Sequence, residues 1–293
     1  MKPASTIFLT AVLSLLNASA ALAESAATVE GLQMPAWVER SGNRLAMKVG
    51  MDLQSGDKVI TGANAKALLR LEEGSDVKIG QNARIHLDKL SPPVQEDGLF
   101  SGLLNVVKGA FRFTTSKLGA SRQRSVDIKI GTVTAGIRGT DIWGKSNDEK
   151  DIVCLIEGKI SVASNGDEFT MSDPLSFYIK PKNAPAGPVE PIDAEKLARW
   201  AKQTDLLDGD GVVKSEGKYF INMMSVSDQQ LAESNQQHFH KAGFAADIEA
   251  TDIDGKQWYR LRINGLASRA DAERLASALE EKFNLGTAWI GRV

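Results

Sequence analysis

Hydrophobic and polar residues alternate with a period of two through much of the first two thirds of the chain. Short runs rich in β-branched residues, such as 126–130 and 152–156, are separated by turn signals. Alternation of this kind places successive side chains on opposite faces of a strand. Asn165-Gly166 supplies two residues that adopt the positive φ angles of a tight hairpin turn. The pattern predicts an all-β domain, a roll or a sandwich, over residues 40–180.

A proline-rich stretch follows this region. Residues 181–191 include four prolines, which favours an extended and fairly stiff spacer. Asp193 then precedes a short helical stripe that includes Leu197 and Trp200. A helix of this length is marginal in water by itself. We therefore predict a linker over 181–216 whose short helix docks on the β domain.

The remaining segment, 217–293, has a mixed rhythm of strands and helices. Ser227 with Gln230, and Ser268 with Asp271, resemble capping boxes at the starts of two helices. The element order is β-α-β-β-α-β, the ferredoxin-like order, and both helices should cover one face of the sheet. The predicted fold class is therefore mixed, with an all-β domain followed by an α+β domain that leaves one sheet face open.

The third strand of this segment carries the most informative side chains. In residues 258–263, Tyr259 and Leu261 suit a helix-covered face, which places Trp258, Arg260 and Arg262 together on the open face. An indole beside two guanidinium groups could stack on a sugar ring or on a nucleic-acid base. A purely structural stack of Trp and Arg is the alternative.

Composition and charge narrow these choices. The chain has 293 residues, of which 42% are hydrophobic and 25% charged, which is ordinary for a folded protein of about two domains. The formal net charge is −2, and residues 217–293 hold nine basic and ten acidic side chains. A phosphate polymer needs a basic footprint, so we predict no nucleic-acid partner.

The sequence offers little for catalysis or metal binding. It has one cysteine, Cys154, in a run typical of a buried strand, and three histidines. His238 and His240 would point in different directions on a helix. Motifs that combine a nucleophile with a base are absent. We predict that the protein is not an enzyme and has no catalytic residues, no metal and no cofactor; a glycan hydrolase hidden in the β domain is the alternative.

The first residues have the pattern of an export signal. Lys2 precedes the apolar run Ile7–Leu16, and Ala21-Leu22-Ala23 is a typical cleavage site. We predict a signal peptide over residues 1–23, cleaved after Ala23, and a periplasmic mature chain with no stable membrane span. The apolar run is short for a membrane span, but an uncleaved anchor is the alternative.

Two stretches of the last segment resemble the SPOR family of peptidoglycan-binding domains. The first is Asn-Met-Met-Ser-Val at 222–226, where the family typically has Gln-x-Gly-Ser-Phe, and the second is Trp-Tyr-Arg-Leu-Arg-Ile-Asn-Gly-Leu at 258–266. The resemblance covers 218–293 and includes the element order. It implies binding to peptidoglycan glycan strands stripped of their stem peptides, which are enriched at division septa.

The resemblance also implies which residues contact the glycan. The first-strand amide and serine and the third-strand aromatic and arginine of the family match four positions here, and Arg262 shares their predicted face. The predicted glycan-binding residues are Asn222, Ser225, Trp258, Arg260 and Arg262.

The β domain resembles the FecR family. Leu-Gln-Ser-Gly-Asp-Lys-Val-Ile-Thr-Gly at 53–62, Gly-Ile-Arg-Gly-Thr-Asp at 136–141 and Leu-Ile-Glu-Gly-Lys-Ile-Ser-Val at 155–162 carry the likeness. The resemblance implies an interaction module with an unknown protein partner. We therefore expect a wall-binding protein of two modules, and the alternative is a periplasmic signalling adaptor that acts through the FecR-like domain.

Overall fold

The computed structural model describes residues 25–90, 99–115 and 123–293, which form 22 strands and three helices. The predicted signal peptide, residues 1–23, lies outside the described residues. Within the described ranges, every helix is too short or too polar to cross a membrane.

The N-terminal region, as far as it is described, is built from strands alone, which confirms its all-β character. Strands begin at Ala27, ahead of the predicted start at residue 40. A bulge between Val29 and Gly31 interrupts the alternation of the first strand, which hides its period in the sequence. The strands are β1 (Ala27–Gln33), β2 (Ala36–Arg40), β3 (Asn43–Ala46), β4 (Asp52–Leu53), β5 (Lys58–Thr61), β6 (Lys66–Leu71), β7 (Asp76–Ile79), β8 (Arg84–Leu90), β9 (Leu99–Thr114), β10 (Gln123–Ile130), β11 (Val133–Ile137), β12 (Asp141–Ser146), β13 (Lys150–Glu157), β14 (Ile160–Ser164), β15 (Asp167–Met171), β16 (Ser176–Pro181) and β17 (Glu190–Pro191).

These strands form two sheets that share β9. One sheet has the order β17-β16-β13-β12-β9-β7-β6-β1, and the other has the order β3-β2-β5-β8-β9-β10-β11-β14-β15. Strand β9 passes between them at Gly109, whose φ of +97° favours glycine, and a side chain there would collide with Ala83. Phe111 and Phe113 of the first sheet share one core with Leu104 of the second.

The short helix α1 (Ala194–Ala201) covers part of the outer face of the first sheet. Asp193 caps it by accepting a hydrogen bond from the backbone N–H of Lys196 at 2.7 Å. The Trp200 ring stacks on Trp143 with 4.6 Å between the ring centroids. The predicted docking of this helix is therefore confirmed. We call the covered surface the α1 patch; its buried residues are Ala110, Trp143, Ile152, Cys154, Phe177 and Ile192.

The C-terminal region combines helices and strands, which confirms its α+β character. Its sheet has the order β22-β19-β21-β20, and all neighbouring strands are antiparallel. The elements are β18 (Val212–Lys214), β19 (Tyr219–Val226), α2 (Gln229–Lys241), β20 (Asp247–Ile253), β21 (Lys256–Leu266), α3 (Arg269–Phe283) and β22 (Trp289–Arg292).

One of the two predicted helix caps is wrong. Ser268 caps α3 as expected, since its hydroxyl accepts from the backbone N–H of Asp271. At α2 the cap is Asp228, whose carboxylate accepts from the backbone N–H of Leu231, and not Ser227. Asp and Ser are similarly good caps, so the choice between neighbouring residues depends on where the strand before the helix ends.

Strand β18 joins the two regions into one continuous sheet. It pairs with β1, where Leu32 lies opposite Val213, and it also meets β21, where Val213 lies opposite Leu266. Nearby, the Trp37 indole donates to the carbonyl of Lys241 at the end of α2, at 3.2 Å. The two regions are therefore attached through backbone pairing as well as side-chain packing.

Candidate functional site

The helices α2 and α3 cover one face of the C-terminal sheet. Leu261 and Ile263 point into the core, where they join Phe239 of α2 and Leu275 of α3. Because side chains alternate along β21, residues 258, 260 and 262 point away from the helices. We call this second surface the outer face of the C-terminal sheet.

The strand register brings four of the five predicted site residues together on the outer face. Asn222 of β19 lies opposite Arg262, and Ser225 lies opposite Arg260. A bulge between Asn222 and Met224 keeps both polar residues on this face although they are three positions apart. The amide of Asn222 donates to the hydroxyl of Ser225 at 3.2 Å, which links the two side chains.

Trp258 lies further along the same face, next to the hairpin that joins β20 and β21. Its indole is half-buried, and the ammonium of Lys256 lies 5.0 Å from the ring centroid. Thr251 of β20 is its cross-strand neighbour. Strand geometry places the Cα atoms of Trp258 and Arg260 about 7 Å apart. Trp258 therefore lies on the same face as the other four residues, next to Arg260 and at one end of the group.

Arg262 is held by its neighbours in the sheet. Its side chain is only 10% exposed, it forms an ion pair with Glu249 of β20, and its guanidinium lies 4.4 Å from the centre of the Phe220 ring. The Nε of Arg262 and the Oδ1 of Asn222 are buried without a hydrogen-bond partner among the described residues. The ion pair and the ring contact therefore fix the position of this guanidinium within the outer face.

Arg260 is in a different situation. Its side chain is half-buried, yet within the described part of the chain it forms neither an ion pair nor a side-chain hydrogen bond. Its cross-strand neighbour Glu249 is engaged by Arg262 instead. The five donors of an arginine that is not paired are available to hydroxyl or carboxylate oxygens of a ligand.

The structure adds an aromatic residue that the sequence reasoning missed. Trp289 of the edge strand β22 lies opposite Asn222 on the outer face and is 57% exposed. It contacts Phe220 edge to face, with 5.4 Å between ring centroids. Gly291 makes room for the Phe220 ring, since a side chain at that position would collide with it. The strand has four residues, too few to establish a period, so local alternation could not have placed Trp289 on this face.

The two indoles frame the polar residues. Trp289 and Trp258 are two strands and about four residues apart, which corresponds to roughly 16 Å. Asn222, Ser225 and Arg260 lie between them. Aromatic faces suit the C–H faces of sugar rings, and amide, hydroxyl and guanidinium groups suit their hydroxyls. The arrangement fits an extended chain of sugars.

Metal binding has no support in the ranges that the structure describes, where no three His, Cys, Asp or Glu side chains form a possible ligand set. Cys154 is fully buried in the α1 patch, as predicted, and burial raises its pKa to about 12. A thiol with this pKa is a poor nucleophile at neutral pH.

Two family models match the chain. The one described as SPOR domain matches residues 215–288, and the one described as FecR protein matches residues 57–161. The chain therefore carries a FecR domain followed by a SPOR domain, as the sequence motifs indicate. The SPOR match supports peptidoglycan binding, and both domains are binding or regulatory modules and not catalytic ones.

Among solved structures, two chains described as a "putative anti-sigma factor" from Parabacteroides distasonis ATCC 8503 are similar to this one. Both have 11% sequence identity and a TM-score of 0.39. The first match covers 80% of this chain and 99% of that chain, and the second covers 78% and 91%. No curated protein matches the chain in sequence.

Proposed function

We propose that the protein is a non-enzymatic component of the periplasm that binds peptidoglycan glycan strands through the outer face of its C-terminal sheet. Strands without stem peptides are the preferred ligand. The FecR domain is an interaction module for a protein partner. Binding of bare strands places the protein at division septa, where such strands are enriched.

One observation carries this proposal. Two indoles, Trp289 and Trp258, flank the guanidinium of Arg260, which has no ion pair within the described ranges, on a sheet face that none of the three described helices covers. Tryptophan and arginine are among the residue types most enriched at the positions that carry binding energy in interfaces. The SPOR match over 215–288 supports peptidoglycan as that ligand.

The test is co-sedimentation of the full chain with purified peptidoglycan sacculi, before and after amidase treatment. We expect the wild-type protein to bind amidase-treated sacculi more tightly. Trp289→Ala and Trp258→Ala should each weaken binding about tenfold, since stacking of one aromatic on a flat ligand contributes on the order of 1–3 kcal/mol in the analogous case of bases. Arg260→Ala should have a similar effect, because a hydrogen bond from a charged donor contributes about 1.5–3 kcal/mol. Arg274→Ala is the matched control, because Arg274 is exposed on α3, on the opposite side of the sheet.

Equal sedimentation of all variants would reject the outer face as the binding site. Release of muropeptides from sacculi by the purified wild-type protein would show that the protein is an enzyme, contrary to our proposal.

A second function, signalling through the FecR domain, is favoured by the continuous sheet. Strand β18 connects β1 of the N-terminal region to β21, the strand that carries Trp258 and Arg260. A wall ligand on the outer face would therefore contact β21, and β21 is separated from β1 of the N-terminal region by β18 alone. In cells, a Trp289→Ala/Arg260→Ala protein that supports normal signalling would indicate that the FecR domain acts without wall binding.

A further inference from the structure

A cleft of about 710 Å³ lies between the two regions. On one side it is lined by Met34, Met47 and Val49 of the N-terminal region. Val213 and Ile263 line it on the other side. The volume is within the range of about 300–1,000 Å³ that is typical of ligand sites, and the lining combines an apolar floor with a charged rim.

The rim of the cleft is basic. Four of its lining side chains are cationic and one, that of Asp247, is acidic; Val293, which carries the α-carboxylate, also lines the cleft. Lys48 lies 3.8 Å from Asp247, and Lys214 forms an ion pair with Asp208 outside the cleft. Lys218 and Arg292 have no acidic partner among the described residues, although Arg292 lies over the Tyr219 ring. Two cations that form no ion pair within the described residues, next to apolar surface, suit an anion that also carries small apolar groups.

The cleft begins where the outer face of the C-terminal sheet ends. Asp247 lines it and is the cross-strand neighbour of Arg262. Asn264, two residues beyond Arg262 along β21, lines it as well. A polymer that follows β21 from Trp258 would travel roughly 20 Å before it reaches Asn264. The cleft therefore adjoins the end of the proposed glycan site at Asp247 and Asn264.

We propose that this cleft binds a carboxylate of the wall polymer, so that the N-terminal region forms one wall of the glycan site. This inference rests on the proposed function. Removal of a stem peptide from muramic acid leaves a free lactyl carboxylate beside a methyl group, and a stem peptide that remains ends in a carboxylate. The lactyl carboxylate and the stem-peptide carboxylate would each pair with Lys218 and Arg292. The neighbouring methyl group would contact the apolar floor of the cleft.

The test compares three ligands: intact strands with stem peptides, amidase-stripped strands, and stripped strands whose carboxylates have been converted to amides. The full-length wild type and the K218Q/R292Q variant are titrated against each, with K159Q/R274Q as the control because both of its residues are exposed and distant from the cleft. We expect K218Q/R292Q to lose about tenfold in affinity for a carboxylate-bearing ligand, as two partly exposed ion pairs would allow.

The amidated strands identify the role of the carboxylate. If stripped strands bind more tightly than both other ligands, the lactyl carboxylate is the group recognised; if intact strands bind best, it is the peptide carboxylate. Wild-type binding that is unchanged by amidation, or unchanged affinity in K218Q/R292Q, would overturn the cleft proposal. In that case a loss of binding in Trp289→Ala would still support the outer face, so the two proposals fail separately.

Val49→Asp tests the contribution of the N-terminal region. Val49 is half-buried at the cleft, and a carboxylate there would repel the ligand without altering the outer face. We expect weaker binding of stripped strands and unchanged binding of amidated strands, with circular dichroism confirming the fold. Equal losses for both ligands would show that the substitution acts by damaging the structure, and wild-type affinity for both would remove the N-terminal region from the site.

Discussion

At the scale of single residues, the two arginines of β21 show how neighbouring side chains of one type can have different tasks. Arg262 is almost completely buried, paired with Glu249 and stacked on Phe220, whereas Arg260 has no such partners in the described ranges. The difference comes from the cross-strand neighbours and not from the arginines themselves. Arg262 stabilises the sheet, and Arg260 is available to a ligand.

This contrast predicts that substitution of Arg262 mainly lowers stability, whereas substitution of Arg260 mainly weakens binding. Arg262→Ala should lower the free energy of unfolding by about 1–2 kcal/mol, because it removes a partly exposed ion pair and a cation–π contact. Arg260→Ala should leave it within about 0.5 kcal/mol of the wild type and weaken sacculus binding. Urea titration and co-sedimentation measure the two effects. A large stability loss in Arg260→Ala would contradict the assignment.

The residues of the site could be predicted from the sequence only where local alternation is clear. Trp258, Arg260 and Arg262 follow directly from period-two alternation in a long strand. Trp289 lies in a strand of four residues, too short to establish a period, and its position opposite Asn222 depends on pairing across more than 60 residues. The burial of Arg262 also depends on Phe220 and Glu249, which come from two other strands.

At the scale of elements, α1 is a short helix that depends on its contacts. It has no fully buried residue of its own, and the stacking of Trp200 on Trp143 provides its main aromatic contact with the sheet. Sequence periodicity predicted its apolar stripe correctly. The surface that it covers could not be predicted, because the α1 patch combines residues from several strands.

Cys154 offers a direct measure of this contact, since it is the single cysteine of the chain and lies buried in the α1 patch. We expect Trp200→Ala to increase the rate of Cys154 labelling by a maleimide at least about tenfold, because loss of the stack lets α1 open more often. Arg199→Ala, on the exposed side of α1, should label at the wild-type rate. Equal rates in all three proteins would show that α1 does not protect the thiol.

The buried carboxylate of Asp151 accepts a hydrogen bond from Lys182, which lies at the start of the proline-rich segment. Burial of Asp151 would raise its pKa, but hydrogen bonds from Lys182, Thr132 and Ser146 outweigh this effect and hold the pKa below its ordinary value of 3.8. The donors lie 2.6–2.9 Å from the carboxylate oxygens. The folded state therefore favours the ionised form more than the unfolded state does.

This shift predicts how stability depends on pH. The contribution of Asp151 is fully present above pH 3.8 and is lost as the pH falls below that value, because the unfolded state binds the proton first. Asp151→Asn should therefore be less stable than the wild type at pH 7, and the difference in melting temperature should shrink between pH 4 and pH 3. Asp148→Asn, at an exposed residue nearby, should show no such trend. A constant difference across this range would contradict the prediction.

At the scale of the whole molecule, the sequence predicted two domains separated by a linker, and the structure joins them more closely. The proline-rich segment does separate them in sequence. Strand β18, three residues long, nevertheless bridges the sheets, and nothing in so short a run indicates pairing with β1. The all-β and α+β characters of the two regions were predictable from local periodicity. The attachment of one region to the other depends on strand pairing between residues far apart in sequence.

A buried carboxylate supports the attachment of the two regions. Asp271 of α3 is completely buried, and its Oδ1 accepts hydrogen bonds from the backbone N–H groups of Gly209, Gly211 and Val212 at 2.8–3.0 Å. These residues lead into β18. Loss of the carboxylate would leave three donors without partners beside the bridge, and each buried unpaired donor costs about 1–3 kcal/mol.

We therefore expect the wild-type chain to unfold in one cooperative transition and Asp271→Ala to separate the two regions. Hydrogen exchange followed by mass spectrometry should show peptides of β13 and β21 opening with similar free energies in the wild type. In Asp271→Ala, β21 should exchange faster while β13 stays protected. Glu216→Ala, at an exposed residue between β18 and β19, is the control and should behave as the wild type. Two transitions in the wild-type chain would show that the bridge is too weak to couple the regions, and a wall ligand bound to the outer face could then not be sensed by the FecR domain through β18.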